Sequence, residues 1–394
     1  MQLDHRNVLV LSTCQMLFGT GRSLFMVTSP IVALGIAPHL ALATLPTALI
    51  VIGTALAAMP ASLFSQRVGR KLGFLLGTLL ATASGTACVG AVVYQNFWLL
   101  ALGGLLYGFF SAFGQLYRFA VADAASEAFK RKAISLVLAG GVFAGLAGPN
   151  LAKFGKDMIE SSIYTGAFLF MIGTALVSAL VLMFLNIPGL TQAERDGPKR
   201  PLSEIMKQPV FIAAALSATI AQSVMNFLMT ATPIAMVAHN HHSFGDAANV
   251  IAWHIVGMFA PGFVTGWMVT RFGEVRMILT GLTLEAICIG VALSGIEVFD
   301  FWLAMLLLGI GWNFTFTAAT SLMTTAYTPA ERAKTQGMMN QIIYTVVAMG
   351  SLSSGAFIHF FGWDWVNVGA MPLLAVAAIV TLWYAAGVRK AAAP

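Results

Sequence analysis

Four side chains with soft donor atoms fall at helical spacing within two apolar stretches: Met225 and Met229, then His254 and Met258. Thioether sulfur and imidazole nitrogen suit a soft ion such as Cu(I). A four-residue interval sets both members of each pair on one helix face. A histidine inside a stretch long enough to cross a bilayer is costly unless it has a task or a partner. With 20 methionines in 394 residues, roughly one Met-x-x-x-Met pair arises by chance, so the pairs gain their meaning from position. If the two stretches run antiparallel about the loop 238–246, Met229 and His254 lie roughly 12 Å from it and Met225 and Met258 roughly 18 Å. Adjacent helices would then present two layers of ligands able to hold an ion weakly and in steps. In the loop itself, His239, His241 and His242 either gather metal at an entrance or simply solvate a helix end.

The elements that must position these groups are membrane helices. Hydrophobic residues make up 58% of the chain and charged residues 9%, a balance that excludes one soluble core of this length. Apolar runs of spanning length recur twelve times, near 8–34, 41–65, 72–94, 97–122, 133–155, 163–185, 210–237, 247–269, 276–296, 299–326, 336–361 and 366–388. Basic residues gather between alternate runs, at Arg67, Arg70 and Lys71, at Lys130 to Lys132, at Arg195 to Lys207, and at Arg271 and Arg276. The positive-inside rule then puts both termini in the cytoplasm. Topology accounts for the net charge of +6, and no nucleic-acid partner is expected. The first apolar run is too long for a cleavable signal. Cys14, Cys88 and Cys288 lie within runs at unrelated spacings and read as small apolar residues.

The chain repeats itself at an interval of about 203 residues. Arg22 to Pro30 aligns with Met225 to Pro233, and Gln66-Arg67-Val68-Gly69 with Thr270-Arg271-Phe272-Gly273. An N-terminal six-helix half at 1–185, a linker at 186–208 and a C-terminal six-helix half at 209–394 follow. Such halves are the arrangement of an alternating-access carrier with its site at mid-membrane.

Twelve spans, a long central loop and Ser62-Leu-Phe-Ser-Gln-Arg-Val-Gly-Arg-Lys71 together resemble the major facilitator superfamily. The acidic residue usual in that loop is Gln66 here, which removes the usual charge latch. The arginine common early in the fourth span is missing, with Gly104 near its place, while Gly140–Pro149 resembles the family's Gly/Pro-rich fifth span. The resemblance implies an all-α membrane fold of twelve helices in two pseudo-repeats, working as a monomer. The four soft ligands resemble those of CcoA-type copper importers, which supply cbb3-type heme–copper oxidases. That narrower resemblance implies import of copper as the transported substrate, with no cofactor.

Other residues support other cargoes. Arg22, deep in the first span, suits an anion or a flavin-like ring and would repel Cu(I). With Met26, Trp312 and Asn313 it is a candidate for lining a substrate cavity. Tyr107, Tyr117, Trp253, Phe316 and Tyr344 could stack on a flat ring or serve as packing. Riboflavin or a similar aromatic nutrient is therefore the alternative cargo, and drug efflux a third reading. Arg118 is expected to snorkel near Asp123, and Glu285 to make an interhelical hydrogen bond. No nucleotide loop or nucleophile–base pair is present, so no enzymatic activity is expected.

Overall fold

The computed structural model describes residues 3–39, 42–160, 162–187 and 199–392. Side chains at 3–4, 238–239, 244, 351–356, 358–359 and 389–392 lie outside the description. Much of the linker expected at 186–208 likewise falls outside the described residues. The protein is all-α: α1 (Leu3–Ile36), α2 (Leu45–Val68), α3 (Arg70–Val93), α4 (Phe97–Gly114), α5 (Tyr117–Ala124), α6 (Lys130–Ala139), α7 (Val142–Lys156), α8 (Thr165–Leu182), α9 (Leu202–Lys207), α10 (Pro209–Ile234), α11 (Phe244–Phe259), α12 (Gly262–Phe272), α13 (Glu274–Ser294), α14 (Val298–Met323) and α15 (Arg332–Ala392). Ten helices among the described residues are long and apolar enough to cross a bilayer, and a pair bent by 41°, Gly245–Phe259 with Gly262–Phe272, makes eleven. Gly362, at φ 78° and ψ 178°, divides α15 into two helices, as a residue without Cβ allows.

Contacts group the chain into two units. One comprises Met1–Ala125, Gly140–Thr191 and Gln336–Tyr344, the other Ser126–Ala139, Gln192–Thr335 and Thr345–Pro394. Each unit thus takes in a short stretch from the far side of the linker.

In the first unit, α2 and α4 approach until their backbones touch. A Cβ on Gly53 would stand 2.7 Å from the Leu105 carbonyl oxygen and 3.1 Å from Gly108 Cα. Gly104 lies against Pro46 with no room for any side chain, which explains why no arginine occupies this place in α4. Such contacts give close van der Waals packing where lipid supplies no hydrophobic drive between helices.

The second unit repeats the device about 200 residues on. A Cβ on Gly257 of α11 would lie 2.8 Å from the Leu306 carbonyl oxygen and 3.6 Å from Gly309 Cα on α14. The α11–α12 bend follows from Pro261, which cannot donate to the helical ladder. Asn313 Nδ2 donates to the Met258 carbonyl beside the break at 2.7 Å, and Thr265 Oγ1 donates to Asn313 Oδ1 at 2.7 Å. The borrowed α6 packs on α12, where Ser135 donates to the Gly262 carbonyl and Arg131 pairs with Glu274 at 2.6 Å.

Candidate functional site

In the first unit, two arginines and a stripe of polar side chains form a ladder along apolar helices. The stripe is Gln336, Asn340 and Tyr344, four residues apart and therefore on one face of α15. At the end of the ladder nearest the basic loops, Arg70 Nη2 donates to Asp123 Oδ2 at 2.8 Å and to Gln336 Oε1. Gln336 Nε2 donates to Asp123 Oδ1 at 3.3 Å. Arg70, Asp123 and Gln336 thus form a charged latch within this unit, although position 66 is not acidic.

One turn further, Arg118 Nη2 donates to Asn340 Oδ1 at 2.7 Å and Nη1 to Gln115 Oε1 at 3.3 Å. Tyr344 is hydrogen-bonded to the same guanidinium. The cation also lies 4.9 Å from the centre of the Phe119 ring, a favourable placement when desolvated. Arg118 is 2% exposed. It does not snorkel, because these oxygens hold the guanidinium inside the unit, and Asp123 belongs to Arg70.

The next level holds Arg22. It is half-buried, and among the described residues it has neither an ion pair nor a hydrogen bond. Tyr107 and Tyr344 both lie within its electrostatic reach. Gly21 lets α1 approach Tyr107, whose Oη would be 2.7 Å from a Cβ there. Tyr107 Oη donates to the Phe18 carbonyl at 2.7 Å, and its ring stacks with Phe18 at 6.4 Å and Phe25 at 6.2 Å. Met26, one turn past Arg22, is 37% exposed. A free guanidinium beside stacked aromatic rings can bind an acceptor-rich flat ring or an anion.

The soft ligands belong to the second unit. His254 is fully buried, and its Nδ1 lies 2.8 Å from the Met305 carbonyl oxygen on α14. Thr232 of α10 donates to Met305 Sδ at 3.2 Å. Met305 therefore stands between the two soft-ligand helices, and α11 packs along α14 far more than against α10. His254 Nε2 has no hydrogen-bond partner among the described residues. Met225 and Met258 are buried at 3% and 8% exposure, and Met229 is half-buried. No group of three or more His, Cys, Asp or Glu suited to a metal ion occurs among the described residues.

In the loop, the His239 side chain lies outside the described residues. His241 is exposed with φ 57°, and His242 Nε2 contacts the Ile296 carbonyl oxygen at 2.7 Å. Trp312 and Asn313 are buried within the second unit: Trp312 Nε1 donates to Gln222 Oε1 at 2.9 Å, and Asn313 braces the α11–α12 bend. All three cysteines are free and buried. Both carboxylate oxygens of Glu285 lack a hydrogen-bond partner among the described residues, so the expected interhelical bond is absent. Beside it, Gly311, whose Cβ would lie 2.9 Å from Glu285 Cγ, offers no side-chain donor.

Outside the spans, Arg200 grips the turn before α15. Its backbone N–H and Nε donate to Glu331 Oε1 at 2.7 and 2.9 Å, and Nη2 donates to Oε2 at 2.6 Å. This guanidinium, with the Thr328 N–H, holds the Glu331 carboxyl down at about 2.

The model of the Major Facilitator Superfamily matches residues 11–233 and 214–394. The riboflavin transporter RfnT of Brucella anthropi is 37% identical over 376 residues, covering 95% of this chain and 94% of its own. Among solved structures, the human organic anion transporter MFSD10 aligns with TM-score 0.78 at 14% identity, covering 96% of this chain and 99% of that one. FucP in the outward conformation aligns with TM-score 0.76 at 13% identity, covering 96% and 98%. The relative matched along nearly the whole chain is thus a riboflavin transporter and not a CcoA-type copper importer. Met-x-x-x-Met and His-x-x-x-Met intervals state only that two side chains share a helix face, which packing also produces. The chain is a secondary transporter and belongs to the Major Facilitator Superfamily.

Proposed function

We propose that this carrier imports riboflavin or a closely similar flavin across a bacterial inner membrane, as a monomer with both termini in the cytoplasm. The observation that carries this reading is the 37% identity to a riboflavin transporter along 95% of the chain. The Arg22 region supports it chemically. The flavin ring is flat and its pyrimidine edge is rich in hydrogen-bond acceptors, which a guanidinium without other partners can meet while aromatic rings contact the faces. Alternating access then carries the cargo inward.

The test is uptake of labelled riboflavin by a riboflavin-requiring bacterium without its own importer. Accumulation dependent on this chain is the expected result, and none overturns the reading. A soft-ion reading keeps one observation in its favour, the buried and unpartnered Nε2 of His254. Copper uptake in the same cells is its test, and uptake lost in His254→Leu would establish it.

A further inference from the structure

Asn340 is 1% exposed. Its Oδ1 accepts from Arg118 Nη2 at 2.7 Å. A guanidinium only donates, so this bond fixes which end of the amide faces Arg118. Nδ2 is thereby turned elsewhere, a buried donor with no acceptor among the described residues. Buried polar groups are as a rule hydrogen-bonded. An orphan amide donor one turn from Tyr344, in the cluster that Arg22 adjoins, marks a place prepared for an acceptor. The next polar group on that face, Tyr344, also offers a donor through its hydroxyl hydrogen, and Arg22 lies within electrostatic reach of it.

Resting on the flavin reading above, we infer that Asn340 is a specificity-determining residue, donating through Nδ2 to a carbonyl oxygen of the cargo's pyrimidine ring. Arg118 is its positioning residue, locking the amide so that nitrogen and not oxygen meets the cargo. Flavins carry two such carbonyls, at C2 and C4. A cargo with a donor at that position would leave Nδ2 unpaired and face like against like, so the residue selects against it.

Purified full-length protein in detergent is titrated with riboflavin, 2-thioriboflavin and 4-thioriboflavin, following quenching of ligand fluorescence or absorbance shift. Sulfur accepts hydrogen bonds poorly, so the wild type should bind one of the two thio analogues about tenfold more weakly than riboflavin. Asn340→Asp is the informative variant. It keeps the size and the oxygen that Arg118 holds, replaces the Nδ2 donor with an acceptor and adds a charge that the guanidinium meets, so the neutral Asn340→Leu below separates donor loss from charge. It should bind riboflavin about tenfold more weakly and no longer favour riboflavin over that analogue. A merely structural role for Asn340 could weaken binding but would leave the preference intact. Asn340→Leu serves as the second variant, with the same loss of preference expected. Equal binding of all three ligands by the wild type, or a preference retained in Asn340→Asp, overturns the assignment while leaving the flavin reading in place. No binding of any flavin by the wild type overturns both.

Discussion

The Arg118–Asn340 region of the first unit and the His254–Met305 region of the second are both polar islands in apolar helix, yet they are built in opposite ways. Around Arg118, side chains bond to side chains from a stretch more than two hundred residues away (Gln336 to Tyr344), and donors are left over. Around His254, the imidazole is held by one backbone carbonyl, and the hydroxyl of Thr232 is spent on its own helix and on Met305 sulfur. The first arrangement specifies positions of charge and leaves capacity for a ligand. The second ties the imidazole to the neighbouring helix through Nδ1 and leaves Nε2 without a partner among the described residues. Helical spacing alone does not separate the two; they differ in what folding leaves unspent, an amide donor at Asn340 and an imidazole nitrogen at His254.

The largest effect that could break this comparison is at Arg22. Arg22→Leu should reduce riboflavin uptake by roughly ten- to a hundredfold, the loss of a charged hydrogen bond or two, with membrane levels unchanged by immunoblot. Unchanged uptake would remove the first unit's claim to the cargo. Next come the paired glycines, where the two units should behave alike. Gly53→Leu and Gly257→Leu should each destabilise by about 1–3 kcal/mol or more through overpacking, measured as lowered Tm in detergent. A large effect in only one unit would show that the two crossings differ in more than chemistry.

His254→Leu should leave riboflavin uptake within about twofold, because the side chain it replaces makes one hydrogen bond of modest net worth. Loss of flavin transport there, with normal expression, would reverse the assignment of the two regions. The smallest expected effect lies outside the membrane. Glu331 is held at about 2, below its ordinary 4.5, so its stabilising contribution is complete above pH 4.5 and is lost as pH falls toward 2. Tm measured from pH 5 to pH 3 should drop more steeply for the wild type than for Glu331→Gln.

Much of the architecture was legible in the sequence. Apolar run lengths, alternating basic loops and the internal repeat gave the helices, and Gly362 and Pro261 punctuate them as such residues should. Arg22 was legible too, since a cation deep in an apolar run has no bland reading. Its relation to Tyr107 and Tyr344 was not, because three distant stretches meet there. Arg118 was misread for the same reason: it was expected to snorkel, whereas Asn340 holds it inside the unit and Asp123 pairs with Arg70. One missed signal was available. Gln336, Asn340 and Tyr344 form a polar stripe of period four in an otherwise apolar run, the mark of a face turned toward polar company. Met305 carried no such mark, since its part is played by a carbonyl and a sulfur that any methionine has.

The stretch Gln336–Tyr344, packed into the unit made mostly of the first 191 residues, has a consequence for biosynthesis. A ribosome releases the first six spans long before it reaches residue 336. Until then Arg70 and Arg118 sit in the bilayer without Gln336, Asn340 or Tyr344. The early unit is thus inserted but incomplete throughout most of translation, dependent on lipid, water or a membrane chaperone to tolerate two incompletely paired cations. Its final closure is timed by the emergence of one late helix, so a chain stopped just before residue 336 should be a good substrate for quality-control proteolysis, and one released after residue 344 much less so.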